Sequence, residues 1–132
     1  MEWLLLEIQV VLFLNLLMWG YVLIFPPVIV FVDEIRLLKL RPWGMALLNI
    51  IVIRRDRYSE PLLRHELEHV RQYRLFSPVG LALFILVHYT YLFIKYRSFA
   101  LVYKYSLLEV WATNKMYDTS SPLPYIKQYN KR

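Results

Sequence analysis

The sequence predicts an α+β fold, mostly helical, with an apolar helix at its N-terminus. Three observations carry this. Residues 3–25 are almost wholly apolar. Residues 46–53 follow Gly44 as a run rich in β-branched side chains and end at the charged stretch Arg54-Arg55-Asp56-Arg57, a strand signal closed by a turn. Beyond Ser59 come three segments that read as helices: the one around residues 62–72, the apolar run 79–94, and residues 105–114, which contain neither Pro nor Gly. The expected organisation is a transmembrane helix over residues 1–27, one small domain over 28–118, and an irregular basic tail over 119–132, with no internal repeat.

The N-terminal run is broken only by Glu7, Gln9 and Asn15 and stops at Pro26-Pro27. About twenty apolar residues suffice to cross a bilayer core of about 30 Å. A secretory signal would carry a basic start and a small-residue cleavage site; the chain begins Met1-Glu2-Trp3 and has neither, so a retained span is expected. At 132 residues the core is small, yet 58% of residues are hydrophobic, too many for an ordinary soluble domain of this size. No Lys or Arg precedes the span, whereas Arg36, Lys39 and Arg41 follow it, with Arg54, Arg55 and Arg57 beyond. The positive-inside rule then makes the protein single-pass, with its body in the cytoplasm. The net charge of +6 suits a body lying against anionic lipid headgroups, helped by Tyr and Trp. No base-reading motif is present, so a lipid membrane is the expected partner and nucleic acid is not. The absence of Cys fits either compartment.

Next in order is the predicted strand at 46–53, whose exposed edge could pair with an extended peptide. Ser59-Glu60-Pro61 then reads as a helix start, with Ser59 as N-cap and Pro61 in the first turn. That helix carries His65-Glu66-Leu67-Glu68-His69. Residues four apart on a helix point the same way, so the two imidazoles can grip one metal ion. Glu66 is placed to take a proton from a water on that metal. This is the H-E-x-x-H pattern, and zinc is the metal it points to. Gln72, seven residues after His65, shares the ligand face.

A hydrolytic zinc site needs a third protein ligand and an open position. Without Cys, the candidates are His88, Glu109 and Asp118. His88 lies in the apolar run 81–89, where a lone His is more often a hydrogen-bonded core residue. Asp118 lies where helical spacing decays into Thr119-Ser120-Ser121-Pro122. Glu109 is the one carboxylate in a strongly apolar helical segment, and burying that charge is costly unless it is paired or metal-bound. Glu109 is therefore the favoured ligand. Residues 79–94, between the two ligand-bearing segments, read mainly as an apolar packing helix. A second crossing there would part His65 and His69 from Glu109, unless the site sat within the membrane. The oxyanion donor is left open among His88, Tyr89, Tyr96, Tyr103 and Tyr105.

These residues resemble the gluzincins, zinc metallopeptidases that bind the metal through the two histidines of H-E-x-x-H and a Glu from a later helix. The likeness is greatest to their minimal forms, the minigluzincins, and to small bacterial or phage H-E-x-x-H membrane proteins. It covers roughly residues 50–114 and rests on His65-Glu66-Leu67-Glu68-His69 with Gln72, and on Glu109 followed by Ala112. It implies a small zincin-like domain with zinc on His65, His69 and Glu109, Glu66 as general base, and peptide or protein substrates. The competing expectation is a non-enzymatic phage or bacterial membrane interaction protein with a structural or vestigial metal site. Glu66 separates the two, since a structural site needs ligands but no base.

Overall fold

The computed structural model describes residues 1–37 and 40–129; Lys39 of the basic cluster and residues 130–132 of the tail lie outside these. The described residues form an α+β, mostly helical fold of five α-helices and one four-stranded sheet. Helix α1, Glu2–Ile24, ends where Phe25 turns extended (ψ 142°), as the following proline requires. Its last turns dock on the body through polar contacts. Trp19 Nε1 donates to the Arg74 carbonyl at 2.8 Å. Arg74 in turn donates from Nε to Val22 O and from Nη2 to Phe25 O, meeting carbonyls that the helix end leaves without a partner. Asn15, the polar interruption in the apolar run, accepts from the Val79 backbone N–H at 2.9 Å.

The sheet corrects the single strand expected over 46–53. Its strands are β1 (Val28–Val32), β2 (Gly44–Leu47), β3 (Ile50–Arg54) and β4 (Lys127–Tyr129), in the order β2-β3-β1-β4. β2 and β3 form an antiparallel hairpin in which Leu47 faces Ile50, so the apolar run folds back on itself at Leu48-Asn49. Leu48 takes a left-handed φ of 56°, unusual for a bulky residue. Asn49 is buried there: its side chain donates to Pro26 O and its carbonyl accepts from Val28 N, tying the turn to the start of β1. β1 pairs parallel with β3 (Ile29 beside Ile51, Phe31 beside Ile53) and was not foreseen. The tail is also less irregular than expected, because β4 pairs parallel with β1 and covers that edge. The outer edge of β2 pairs with no strand among the described residues.

Helix α2, Glu60–Phe76, begins as expected: Leu62 N donates to the Ser59 hydroxyl, and Pro61 stands in the first turn. Leu63 and Val70, with Leu67 between them, pack on Ile29, Phe31, Ile51 and Ile53 of the sheet and form the core. At 100° per residue His65, His69 and Gln72 fall on the opposite side of the helix. Ser77, with φ 64°, is at once the C-cap of α2 and the N-cap of α3, its hydroxyl accepting from Gly80 N.

Helix α3, Pro78–Tyr96, buries Leu81 and Leu92 on one face and leaves Leu83, Leu86, Val87, Tyr91 and Ile94 exposed on the other. It is thus a packing helix on one side only. By length and composition α1 and α3 are both long and apolar enough to cross a membrane: their mean hydropathies are 1.8 and 1.5, and 11% of each is buried. A left-handed Arg97 (φ 54°) turns the chain back into α4, Phe99–Tyr105, and then α5, Leu107–Lys115. The return runs beside α3, with Phe99 on Phe93, Tyr105 on Tyr96 and Leu107 N on His88. Leu108 and Ala112 are buried on α5, where the small side chain of Ala112 lets its backbone come close to α2.

Candidate metal centre

The return of α5 along α2 brings Glu109 over the histidine face of α2. His65 Nε2 lies 3.1 Å from Glu109 Oε2, and His69 Nε2 lies 3.2 Å from Glu109 Oε1. The two Nε2 atoms are 3.2 Å apart. His65, His69 and Glu109 thereby form a group that could hold a metal ion, each offering one atom, all within 4.8 Å of one another. Donors about 2.0–2.2 Å from a tetrahedral ion stand about 3.3 Å apart, so the spacing fits a first-row divalent cation. Two imidazoles and one carboxylate are also the donor set such an ion accepts.

A further polar group supports the fit. Glu66 is buried beside the cluster, and its Oε2 has no hydrogen-bond partner. A buried oxygen left without a donor carries a desolvation cost that a donor in the site would relieve. Burial pushes the Glu66 carboxyl up to about 7, against the pull of His69 and His65. For His69, burial works against the cation, but hydrogen bonding and charge from Glu109 outweigh it and raise it to about 9. Burial likewise disfavours the Glu109 anion, yet the hydrogen bonds of His65 and His69 prevail and hold it at about 2. The metal-free cluster therefore keeps a proton near neutral pH.

Gln72 belongs to the site. It is fully buried, its Oε1 lies 2.9 Å from His69 Nδ1, and its amide nitrogen donates to Leu108 O at 3.0 Å. The second bond fixes which way the amide faces. Its oxygen then accepts the proton on Nδ1, so that Nε2 faces His65 and Glu109. Nε2 is protonated toward Glu109 in the metal-free protein and free to offer its lone pair once that proton is displaced by a metal. One side chain thus orients a histidine of α2 and ties it to the backbone of α5.

The other candidates separate. His88 stands outside the cluster: its ring stacks on Phe84 and its Nε2 accepts from Leu107 N, the first residue of α5. It serves as a cap for the helix that carries Glu109, two residues on. Tyr105 stacks on Tyr96, half exposed, and does not line the cavities at the site. Tyr103 does line them, with Glu66. Its phenol is pushed up, by burial first and then by the Glu109 carboxylate. Asp118 accepts from Ser120 and faces Lys115, away from the histidines. Gly44 is the residue sequence reasoning missed: on β2, it allows Glu66 to lie against the strand. Its position just before an apolar run was the only available signal.

A cavity of about 330 Å³ opens on this cluster, reaching Glu66, His69 and Glu109 between β2 and α3. No protein-family model, characterised protein or solved structure matches the chain.

Proposed function

We propose that this chain is a membrane-anchored zinc metallopeptidase of gluzincin type, hydrolysing peptide bonds in peptide or protein substrates with its catalytic part on the cytoplasmic side. One observation carries the reading: three ligand atoms converge beside a buried glutamate whose Oε2 has no partner, next to a strand edge left unpaired among the described residues. His65, His69 and Glu109 would hold the ion, with Gln72 setting the tautomer of His69. When bound, zinc supplies a Lewis acid that acidifies a water and polarises the scissile carbonyl.

The remaining work falls to the chain. The edge of β2 offers backbone groups to an extended substrate, and Gly44, Met45 and Ala46 of that strand line the cavity with Glu66 and His69. Glu66 accepts the proton of the attacking water and returns it to the leaving amine. Burial, which raises this carboxyl in the metal-free protein, makes Glu66 a stronger base than a solvated carboxylate. Of the proposed oxyanion donors, Tyr89 and Tyr103 line the cavity with Glu66, and Tyr103, which also borders the neighbouring cavity at His65, is the one we assign to this role.

The test is Glu66→Gln in full-length, detergent-purified protein on a mixed peptide library, with zinc content measured in parallel. The variant keeps all three ligands, so it should retain zinc while losing nearly all cleavage. Equal cleavage by both proteins, or none by a folded, zinc-loaded wild type, would overturn the reading in favour of a non-enzymatic membrane protein with a structural metal.

A further inference from the structure

We infer that the peptide bonds hydrolysed here lie in membrane-embedded segments of other polypeptides, which enter the cavity from the lipid rather than from water. The inference rests on the peptidase reading above and names the substrate class of the same site. It keeps α1 as the anchor but takes α3 as a second span, which replaces the single-pass arrangement and moves the site to membrane depth. Its starting point is that α3 has two apolar faces with different neighbours. Leu81, Ile85 and Tyr89, four residues apart, line the cavity that holds Glu66, His69 and Glu109. The opposite face, Leu83, Leu86, Val87, Tyr91 and Ile94, is exposed and covered by nothing among the described residues. The wall of the reaction chamber is therefore the same helix that is long and apolar enough to cross a bilayer.

Depth follows from the same contacts. α4 and α5 return alongside α3, and Leu107 meets His88. Glu109 shares its cavity with Ile85, seven residues, or about 10 Å, from the start of α3. A bilayer core is about 30 Å thick, so a spanning α3 sets the reacting groups below the headgroups. The return also removes the difficulty of a second crossing, because Glu109 and the histidines stay on one level. Leu37, Leu40, Pro42, Met45, Leu81 and Leu108 give the cavity a large aliphatic wall, beside the polar ends of Gln72, Tyr73, Tyr89 and Tyr103. Against the aliphatic part of this wall the side chains of a polar, hydrated segment would lose water without gaining partners. An apolar segment would lose nothing, and once unwound it could satisfy its backbone groups on the β2 edge.

The test uses full-length, zinc-loaded protein in phosphatidylethanolamine–phosphatidylglycerol vesicles. A mixed-sequence peptide library is offered free in solution and, separately, built into an apolar anchor of about twenty residues that spans the vesicle bilayer. The expected result is cutting inside the anchored apolar segment, with the free library cut at least about tenfold more slowly. Cuts confined to the aqueous flanks, or equal rates on both libraries, would overturn the inference and leave the peptidase reading standing. No cutting of either library would overturn both. A photo-crosslinking residue at Ile85 in the Glu66→Gln background supplies a readout free of turnover. It should capture the anchored peptide, and capture of lipid alone would count against the inference.

Discussion

Gly44 and Glu66 are in contact: a β-carbon at position 44 would lie 3.0 Å from Glu66 Oε1 and 3.2 Å from its Cγ. The edge strand and the proposed general base therefore share one small space, which only glycine leaves free. Gly44→Ala should displace the carboxylate by a few tenths of an ångström while leaving His65, His69 and Glu109 in place. Zinc content should be unchanged, and kcat should fall by roughly ten- to hundredfold, since small misplacements of a reacting group cost about that much. Loss of zinc together with activity would mean that the contact supports the metal site instead of the base.

Metal retention should depend on Glu109 and Gln72 and not on Asp118. One zinc per chain is expected by elemental analysis of full-length protein. Gln72→Ala frees the His69 ring and should weaken zinc binding by about ten- to hundredfold, the usual effect of removing a partner that orients a ligand. Glu109→Gln removes a ligand charge and should weaken it further. Asp118→Asn should do nothing measurable to the metal. Competition against a chelating dye gives all three affinities.

Protons and zinc should compete for the cluster. In the metal-free protein the His69 pKa is raised from 6.5 to about 9, so its contribution to stability is complete below pH 6.5 and fades as pH rises through about 9. Glu109 is lowered from 4.5 to about 2, so its contribution is present above pH 4.5 and is lost as pH falls through about 2. Both act together between pH 4.5 and 6.5, where the metal-free protein should be favoured most by this cluster. Burial of Glu66, raised from 4.5 to about 7, adds a cost that grows from pH 4.5 to about 7. Zinc affinity should instead climb with pH up to about 9, with a proton released on binding. Calorimetry in two buffers of different ionisation enthalpy measures that proton.

Membrane attachment should survive carbonate and high-salt washing, because burial of α1 in lipid does not depend on charge. Asn15→Leu should leave attachment intact but strip the Val79 N–H of its acceptor. An unsatisfied amide of this kind costs about 1–3 kcal/mol, which a lowered melting temperature in detergent would report. An unchanged melting temperature would show that the α1–α3 contact contributes little.

Much of the site was legible because its signal is local. The spacing of His65 and His69 fixes a helix face, and the isolation of Glu109 in an apolar segment marks a charge that needs a partner. The helix start at Ser59 and the apolar character of α1 and α3 follow from equally local rules. Most of the misses came from contacts distant in sequence. The hairpin at Leu48-Asn49 has no glycine and relies on a strained leucine and on an asparagine bonded to Pro26, so the run looked continuous. β4 is defined by pairing with β1 about a hundred residues away, which no local pattern reveals. β1, by contrast, carries its own local signal, the β-branched run Val28–Val32 after Pro26-Pro27, hidden only by its continuity with the apolar helix before it. Tyr103 and Tyr105 are equivalent in composition, and only the turn of α4 separates the one lining the cavity from the one stacked on Tyr96.

Ser77 closes α2 and opens α3 with a single residue between Phe76 and Pro78. Such a joint has no slack. α3 rises about 28 Å, a little less than an average bilayer core, so a thicker membrane would draw on its tilt or its neighbours. Any force that reorients α3 is delivered directly to the last turn of α2, one turn beyond Gln72. With α3 as the second span inferred above, bilayer thickness would act as a mechanical input to the geometry around His69, and a flexible insertion at Ser77 would uncouple the two.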